Sequence, residues 1–272
     1  MCDFCVQHGE GKKWYLVMKN YSRELRDQQQ RSHFMEDFGI HFEERIGKAA
    51  AQIDSVRDIP LVGRIAQQLA VRKAKALHWG QVVPIEDAEQ IVDLVDSIVR
   101  MPCACRKLTT GQEARYCFGL GIDVIGILGR YPDYSHGFDM VEKLEAENVL
   151  RSFDKQGLVH SVWTFKTPYI GAICNCDQDC IPFHIQVKTN LLQIMFRAEY
   201  VALVDWDLCN GCKKCLLNCQ FGAIRYSIVQ KRPTIDTTRC YGCGLCRAVC
   251  VKDAITLKPR SEFVRVPWKR TG

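Results

Sequence analysis

Two tandem cysteine runs constrain this chain more than any other feature. C-N-G-C-K-K-C-L-L-N-C, from Cys209 to Cys219, is echoed with an offset of 31 residues by C-Y-G-C-G-L-C-R-A-V-C, from Cys240 to Cys250. The echo extends beyond the thiols. Val204 and Asp205 match Ile235 and Asp236 before each run, and Ala223 and Ile224 match Ala254 and Ile255 after it. Each half therefore reads as strand, ligand loop, short helix, strand. The two runs hold eight of the sixteen cysteines in 272 residues, so the other eight need a reason of their own. No apolar run approaches the roughly 20 residues that span a bilayer. The start, Met1 to Cys5, lacks the basic-then-apolar pattern of a signal peptide. A cytoplasmic protein is expected, and in reducing cytosol metal ligation rather than disulfide formation is the default role for its thiols.

C-x2-C-x2-C-x3-C, given twice, resembles the bacterial-type dicluster ferredoxin domain over roughly residues 198 to 258. The resemblance implies two [4Fe-4S] clusters, the first three cysteines of each run holding one and the fourth reaching across to the other. Cys209, Cys212, Cys215 and Cys250 would hold one cluster, and Cys240, Cys243, Cys246 and Cys219 the other. The two-residue gaps let the loop wrap successive corners of a cubane while its backbone N–H groups turn toward sulfur, and Gly211 and Gly242 relieve the resulting crowding. A pair of zinc knuckles is the other reading of C-x2-C, but four cysteines twice over exceed what zinc requires. The proline that commonly follows the fourth cysteine is Gln220 in one run and Val251 in the other, a departure that bears on loop rigidity and potential rather than on ligation.

Charge narrows the role. Tyr200 to Leu257 carries eight Lys or Arg against four Asp, whereas small free ferredoxins are usually acidic. This argues against a freely diffusing carrier, and Lys213 and Lys214 inside a ligand loop either raise the cluster potential or meet an acidic partner. The whole-chain excess of +6 is too small to indicate nucleic acid. No nucleotide fingerprint is present: Gly119, Gly121 and Gly126 miss the G-x-G-x-x-G spacing.

Upstream, six more thiols fall in two groups: Cys103, Cys105 and Cys117, then Cys174, Cys176 and Cys180. An amphipathic helix entering at Pro84 and running from Ile85 to Arg100 leads to the first group. A second helix, Met140 to Lys155 with Gly157 as its stop, is followed by an extended Val162 to Phe165 before the second group. A folded domain that joins the groups would supply four ligands for a third metal centre, a [4Fe-4S] cluster or a structural zinc. Plain buried cysteines are the alternative. Arg106 is placed to hydrogen-bond a sulfur, and Asp177, Asp179, His160 and His184 are the polar residues nearest in sequence. At the N-terminus Cys2, Cys5 and His8 form a C-x2-C-x2-H half-site that needs a ligand from elsewhere. From Ser22 to Ala51 the composition is helical. Ile59 to Ile85 holds Arg64, Arg72, Lys73 and Lys75 and no acid, a solvated face or one that meets an acidic partner or anionic headgroups.

The expected fold is α+β: an N-terminal segment (1–83), a cysteine-containing middle domain (84–197), both helical, a βαββαβ-like dicluster ferredoxin domain (198–258) and a basic tail (259–272). The layout from about 84 to 258 resembles larger iron–sulfur proteins of anaerobic bacteria and archaea. That implies an electron-transfer subunit of, or dedicated donor to, a larger redox enzyme. The rivals are an oxidoreductase whose middle centre binds substrate and a reductive activation factor for another metalloprotein.

Overall fold

The computed structural model describes residues 13–37, 41, 44, 48, 80–121, 137–190 and 193–263. Cys2, Cys5 and His8, the basic stretch as far as Trp79 and the tail beyond Phe263 lie outside the described residues. The chain is α+β, but its middle region is organised by a sheet rather than by helices, which corrects the helical expectation there.

Among the described residues seven strands form that sheet: β1 (Gly80–Val82), β2 (Ile98–Met101), β3 (Cys117–Leu120), β4 (Asp139–Met140), β5 (Val159–Thr164), β6 (Ile170–Cys176) and β7 (Met195–Phe196). Their spatial order is β4-β2-β3-β6-β5-β1-β7. Every neighbouring pair is antiparallel except β1 with β7. The central strands are buried on both faces, so their sequences show no polar alternation to distinguish them from buried helix.

A short helix α1 (Arg23–Arg26), capped by Ser22, precedes the sheet. Helix α2 (Ile85–Leu94) begins after Pro84 with Glu86 and Asp87 in its first turn, where acids favour the positive end of the helix dipole. It stops six residues short of the expected Arg100. The β-branched Ile98 and Val99 gain more from pairing with Leu120 and Gly119 of β3, in a buried strand, than from extending an amphipathic stripe. After the brief α3 (Ala104–Thr110), helix α4 (Lys143–Gln156) ends as its sequence indicates, with Gly157 in the left-handed region at φ 84°.

The sheet's period of two sorts its side chains. Phe118, Ile173 and Val162 stand in register across β3, β6 and β5, and join α2, α4 and Trp14, Tyr15 and Tyr21 in the larger apolar core. The opposite face carries Cys117, Cys174 and Ser161 in one row, with Cys176 opposite Val159. Helix α5 (Ile181–Phe183), continuing as a π-turn over His184–Lys188, covers that face.

From residue 200 the element order is β8 (Tyr200–Val204), α6 (Lys214–Leu217), β9 (Ile224–Ser227), β10 (Arg232–Ile235), α7 (Leu245–Ala248) and β11 (Ile255–Pro259). β9 pairs with β10 and β8 with β11, so the repeated Val204 and Ile224 face Ile255 and Ile235. This unit packs on the thiol face of the sheet through Phe221 and Leu245, which share an apolar cluster with Cys176, Cys180 and Phe183. Burial of Phe221 alone contributes about 2 to 3 kcal/mol. A buried carboxylate ties the parts together: Asp87, 1% exposed, accepts hydrogen bonds from Tyr15 Oη (2.6 Å), Lys13 Nζ (2.9 Å) and Tyr200 Oη (3.1 Å).

Candidate metal centres

Each cysteine run folds as a loop closed by a short helix, and the repeat in sequence becomes a repeat in space. Cys209, Cys212, Cys215 and Cys250 line one hollow, so the fourth cysteine of the second run reaches the first three of the other. Burial pushes the Cys215 thiol up to about 11, with Cys209, Cys212 and Cys250 adding repulsion. In the second set burial pushes Cys243 up to about 12 and raises Cys246 well above its ordinary value, and the charges acting on Cys246 come chiefly from Cys243, Cys240 and Cys219. Cys250 thus lines the hollow of the first run, and Cys219 acts on Cys243 and Cys246 of the second, as Cys215 also does on Cys246.

Backbone donors point at these sulfurs in matching pairs. Gly211 N donates to Cys209 Sγ (3.4 Å) and Gly242 N to Cys240 Sγ (3.3 Å). Ala223 N donates to Cys219 Sγ (3.2 Å) and Ala254 N to Cys250 Sγ (3.3 Å), and Ala202 N adds a further bond to Cys240 Sγ (3.4 Å). N–H groups aimed at sulfur stabilise thiolate, the form that binds metal. Four mutually repelling thiolates with convergent N–H donors suit a cationic iron–sulfur core, so the residues present fit the group that the resemblance implies.

The six upstream cysteines come together although up to 77 positions separate them, from Cys103 to Cys180. Cys117 and Cys174 are direct cross-strand neighbours, Cys176 lies two residues along the same face, Cys103 and Cys105 arrive at the start of α3, and Cys180 precedes α5. Cys103 lies against Cys117 and Cys180, and these neighbours, with help from the Arg106 backbone and charge, hold its pKa down. The same contacts raise Cys117, through Cys103 and Cys174, and Cys180, through Cys103 and Cys176. Burial raises Cys105 well above its ordinary value, with Cys176, Cys103 and Cys174 nearby. Among the described residues no three His, Cys, Asp or Glu converge as one metal ion would draw them, and this includes the eight cysteines of the C-terminal runs. A cubane keeps its thiolates farther apart than the ligands of a single ion.

Arg106 closes the upstream site. Its guanidinium, 8% exposed, donates to Asp177 Oδ2 (3.0 Å) and to Cys180 Sγ (3.6 Å) and lies over the Tyr116 ring at 4.3 Å. Asp179 stands 3.7 Å from the same guanidinium. His160 is on the opposite face: in β5 it pairs with Asn175, whose side chain alternates away from Cys174 and Cys176, and its Nδ1 is 2.6 Å from Asn175 Oδ1. His184 sits in the π-turn, where its backbone carbonyl accepts from Thr189 N at 3.0 Å.

The two thiol regions are not isolated from each other. Tyr241, between ligand-loop residues Cys240 and Cys243, stacks on Phe221 at 3.8 Å between ring centroids, and Phe221 meets Phe183 of α5 at 5.1 Å. Gln186 fixes the stack by donating to Tyr241 Oη (2.6 Å) while its Oε1 accepts from Ile194 and Met195 backbone N–H groups. Sequence reasoning missed this stack and Asp87. Tyr241 in the C-Y-G-C loop was the one visible signal, since an aromatic there needs a neighbour to cover it.

Residues 208–254 match the family model of the 4Fe-4S dicluster domain. This stretch is a 4Fe-4S dicluster domain. Archaeal-type glutamate synthases [NADPH] of Thermotoga maritima and Thermotoga sp. strain RQ2 are each 33% identical over 67 residues, 25% of this chain and 13% of theirs. A component of the ion-translocating oxidoreductase complex of Methanosarcina acetivorans is 44% identical over 50 residues, 18% of each chain. The chain therefore spans less than a fifth of the length of these curated relatives. No described helix is long and apolar enough to cross a membrane.

Proposed function

We propose that this protein is an electron-transfer subunit of, or dedicated donor to, a larger redox enzyme of anaerobic, cytoplasmic metabolism. Its C-terminal unit reads as the βαββαβ arrangement of bacterial-type ferredoxins, with Cys209, Cys212, Cys215 and Cys250 holding one [4Fe-4S] cluster and Cys240, Cys243, Cys246 and Cys219 the other. When bound, such clusters supply reversible one-electron chemistry. The likeness to pieces of a glutamate synthase and of an ion-translocating oxidoreductase complex supports a place within a multi-component redox system.

The reading includes a third metal centre in the middle domain. The observation that carries it is the convergence of Cys103, Cys105, Cys117, Cys174, Cys176 and Cys180 on one sheet face, in an apolar cluster that also contains Cys243. An all-thiolate set would suit an iron–sulfur cluster, and because Cys243 of the C-terminal set lies in the same apolar cluster, these residues would hold a redox group beside the C-terminal thiols. The protein's own residues fix this site: β3 and β6 set the register of three thiols, Arg106 balances charge at Cys180, and the Phe183–Phe221–Tyr241 stack joins it to the C-terminal loops.

Iron, acid-labile sulfide and zinc per chain in anaerobically purified protein test the proposal. About 12 iron with matching sulfide, falling to about 8 when Cys117, Cys174 and Cys176 are all changed to Ser, is expected for three cubanes. About 8 iron with one zinc would identify the third centre as zinc, and about 8 iron with no zinc would remove it.

A further inference from the structure

The two C-terminal thiol sets differ in their surroundings. Cys240 and Cys246 are buried, and Cys243 packs in the cluster shared with the middle domain. In the other set Cys212 is exposed and only Cys215 is buried. The hollow lined by Cys209, Cys212, Cys215 and Cys250 is also lined by Lys213, Lys214 and Lys252, and by no carboxylate. Beside it lies an open cleft of about 370 Å³ with Lys214, Leu217, Ala248 and Val251 on its walls, again without an acid. Leu217 is 88% exposed and Val251 64%, large apolar side chains that solvent alone gives no reason to present together. None of the three lysines forms an ion pair among the described residues; Lys213 rests over the Tyr226 ring at 4.3 Å, and the nearest acid in sequence, Asp253, lines neither hollow.

We propose that this face is the docking surface for a small acidic redox protein of the ferredoxin kind, seated on Leu217 and Val251 with its carboxylates against Lys214 and Lys252. An apolar centre with a rim of one charge sign is the pattern of a transient interface whose charges set orientation and association rate. Complementarity selects the occupant: a carrier with an acidic surface meets a face without a carboxylate, next to the more accessible of the two thiol sets. The inference rests on the electron-transfer reading above but concerns only where the partner binds.

The test is binding of the full anaerobically purified chain, at matched iron content, to an acidic 2[4Fe-4S] ferredoxin as probe, across a salt series. Saturable binding is expected that weakens as ionic strength rises through the range where the Debye length falls below about 10 Å. Lys214→Glu with Lys252→Glu should weaken low-salt binding about tenfold. Leu217→Ser should weaken it without changing the salt slope. Lys19→Glu with Lys188→Glu, both exposed and lining neither hollow, should leave it intact. Equal losses in both charge-reversed pairs, or salt-independent binding, would overturn the proposal. So would no ferredoxin binding combined with lysine-dependent binding to phosphatidylglycerol vesicles, or lysine-dependent self-association. Iron content is measured on the same samples, so loss of docking with full iron refutes this proposal and leaves the electron-transfer reading standing.

Discussion

Gly242 offers a quantitative check on how the second cysteine loop is built. Its φ is +71°, and a Cβ there would lie 2.2 Å from Tyr200 O and 2.8 Å from the same carbonyl carbon. Gly111 is the internal control, at φ +72° with nothing within 4 Å of its Cβ position. Gly111→Ala therefore isolates the left-handed backbone cost, about 1 to 2 kcal/mol. Gly242→Ala bears that cost plus a contact that only backbone movement relieves, because the two atoms it meets most closely are backbone atoms of Tyr200 in β8, with Ala198 Cβ next at 3.2 Å. Separating the loop from β8 strains the Ala198 N to Tyr241 O bond (2.9 Å) and the Ala202 N to Cys240 Sγ bond (3.4 Å). Two weakened hydrogen bonds at about 1 kcal/mol each bring the total to about 3 to 4 kcal/mol. At roughly 2 to 4 °C per kcal/mol for a protein of this size, the apparent midpoint should fall by about 6 to 16 °C, against about 2 to 8 °C for Gly111→Ala. Anaerobic thermal unfolding with iron analysis measures both, and Gly242→Ala alone should lose about a cubane's worth, roughly 4 iron. Equal midpoints and full iron in both variants would refute the claim that close approach to Tyr200, rather than φ, demands glycine at 242.

Asp87→Ala removes the shared acceptor of Tyr15, Lys13 and Tyr200 and leaves the fully buried Tyr15 hydroxyl unpaired; a loss of about 3 kcal/mol is expected by urea unfolding. Lys13 can turn to water, so Lys13→Ala should cost much less, and similar losses from the two would show that the carboxylate is not the hub. Phe221→Ala empties the contact between the C-terminal unit and α5, and should cost about 3 to 5 kcal/mol, whereas Phe221→Leu retains most of that packing. Limited proteolysis should cut the alanine variant faster between the middle region and residue 200; unchanged cleavage would mean the stack does not hold the two parts together.

What the sequence alone determined is local. Covalent spacing of two and three residues fixes which thiols a single loop can present, so the runs at 209–219 and 240–250 mark themselves as ligand loops whatever fold surrounds them, and their family resemblance implies the crossed pairing. Gly157 marked the end of α4 for a similarly local reason, because a left-handed residue stops a helix whatever surrounds it. The end of α2 was not legible, since Val95 to Val99 suits a helix face or a strand equally, and pairing with β3 decided it. The upstream thiols lie between these cases. Their number and clustering pointed to a shared site, but that Cys117 faces Cys174 while His160 faces the other way follows from strand register, and shifting that register by one residue would reverse every face. Register is set by the whole apolar layer of Phe118, Ile173 and Val162 beneath α2 and α4, a cooperative quantity that no short motif encodes, and so only the tertiary structure could gather the six thiols on one side.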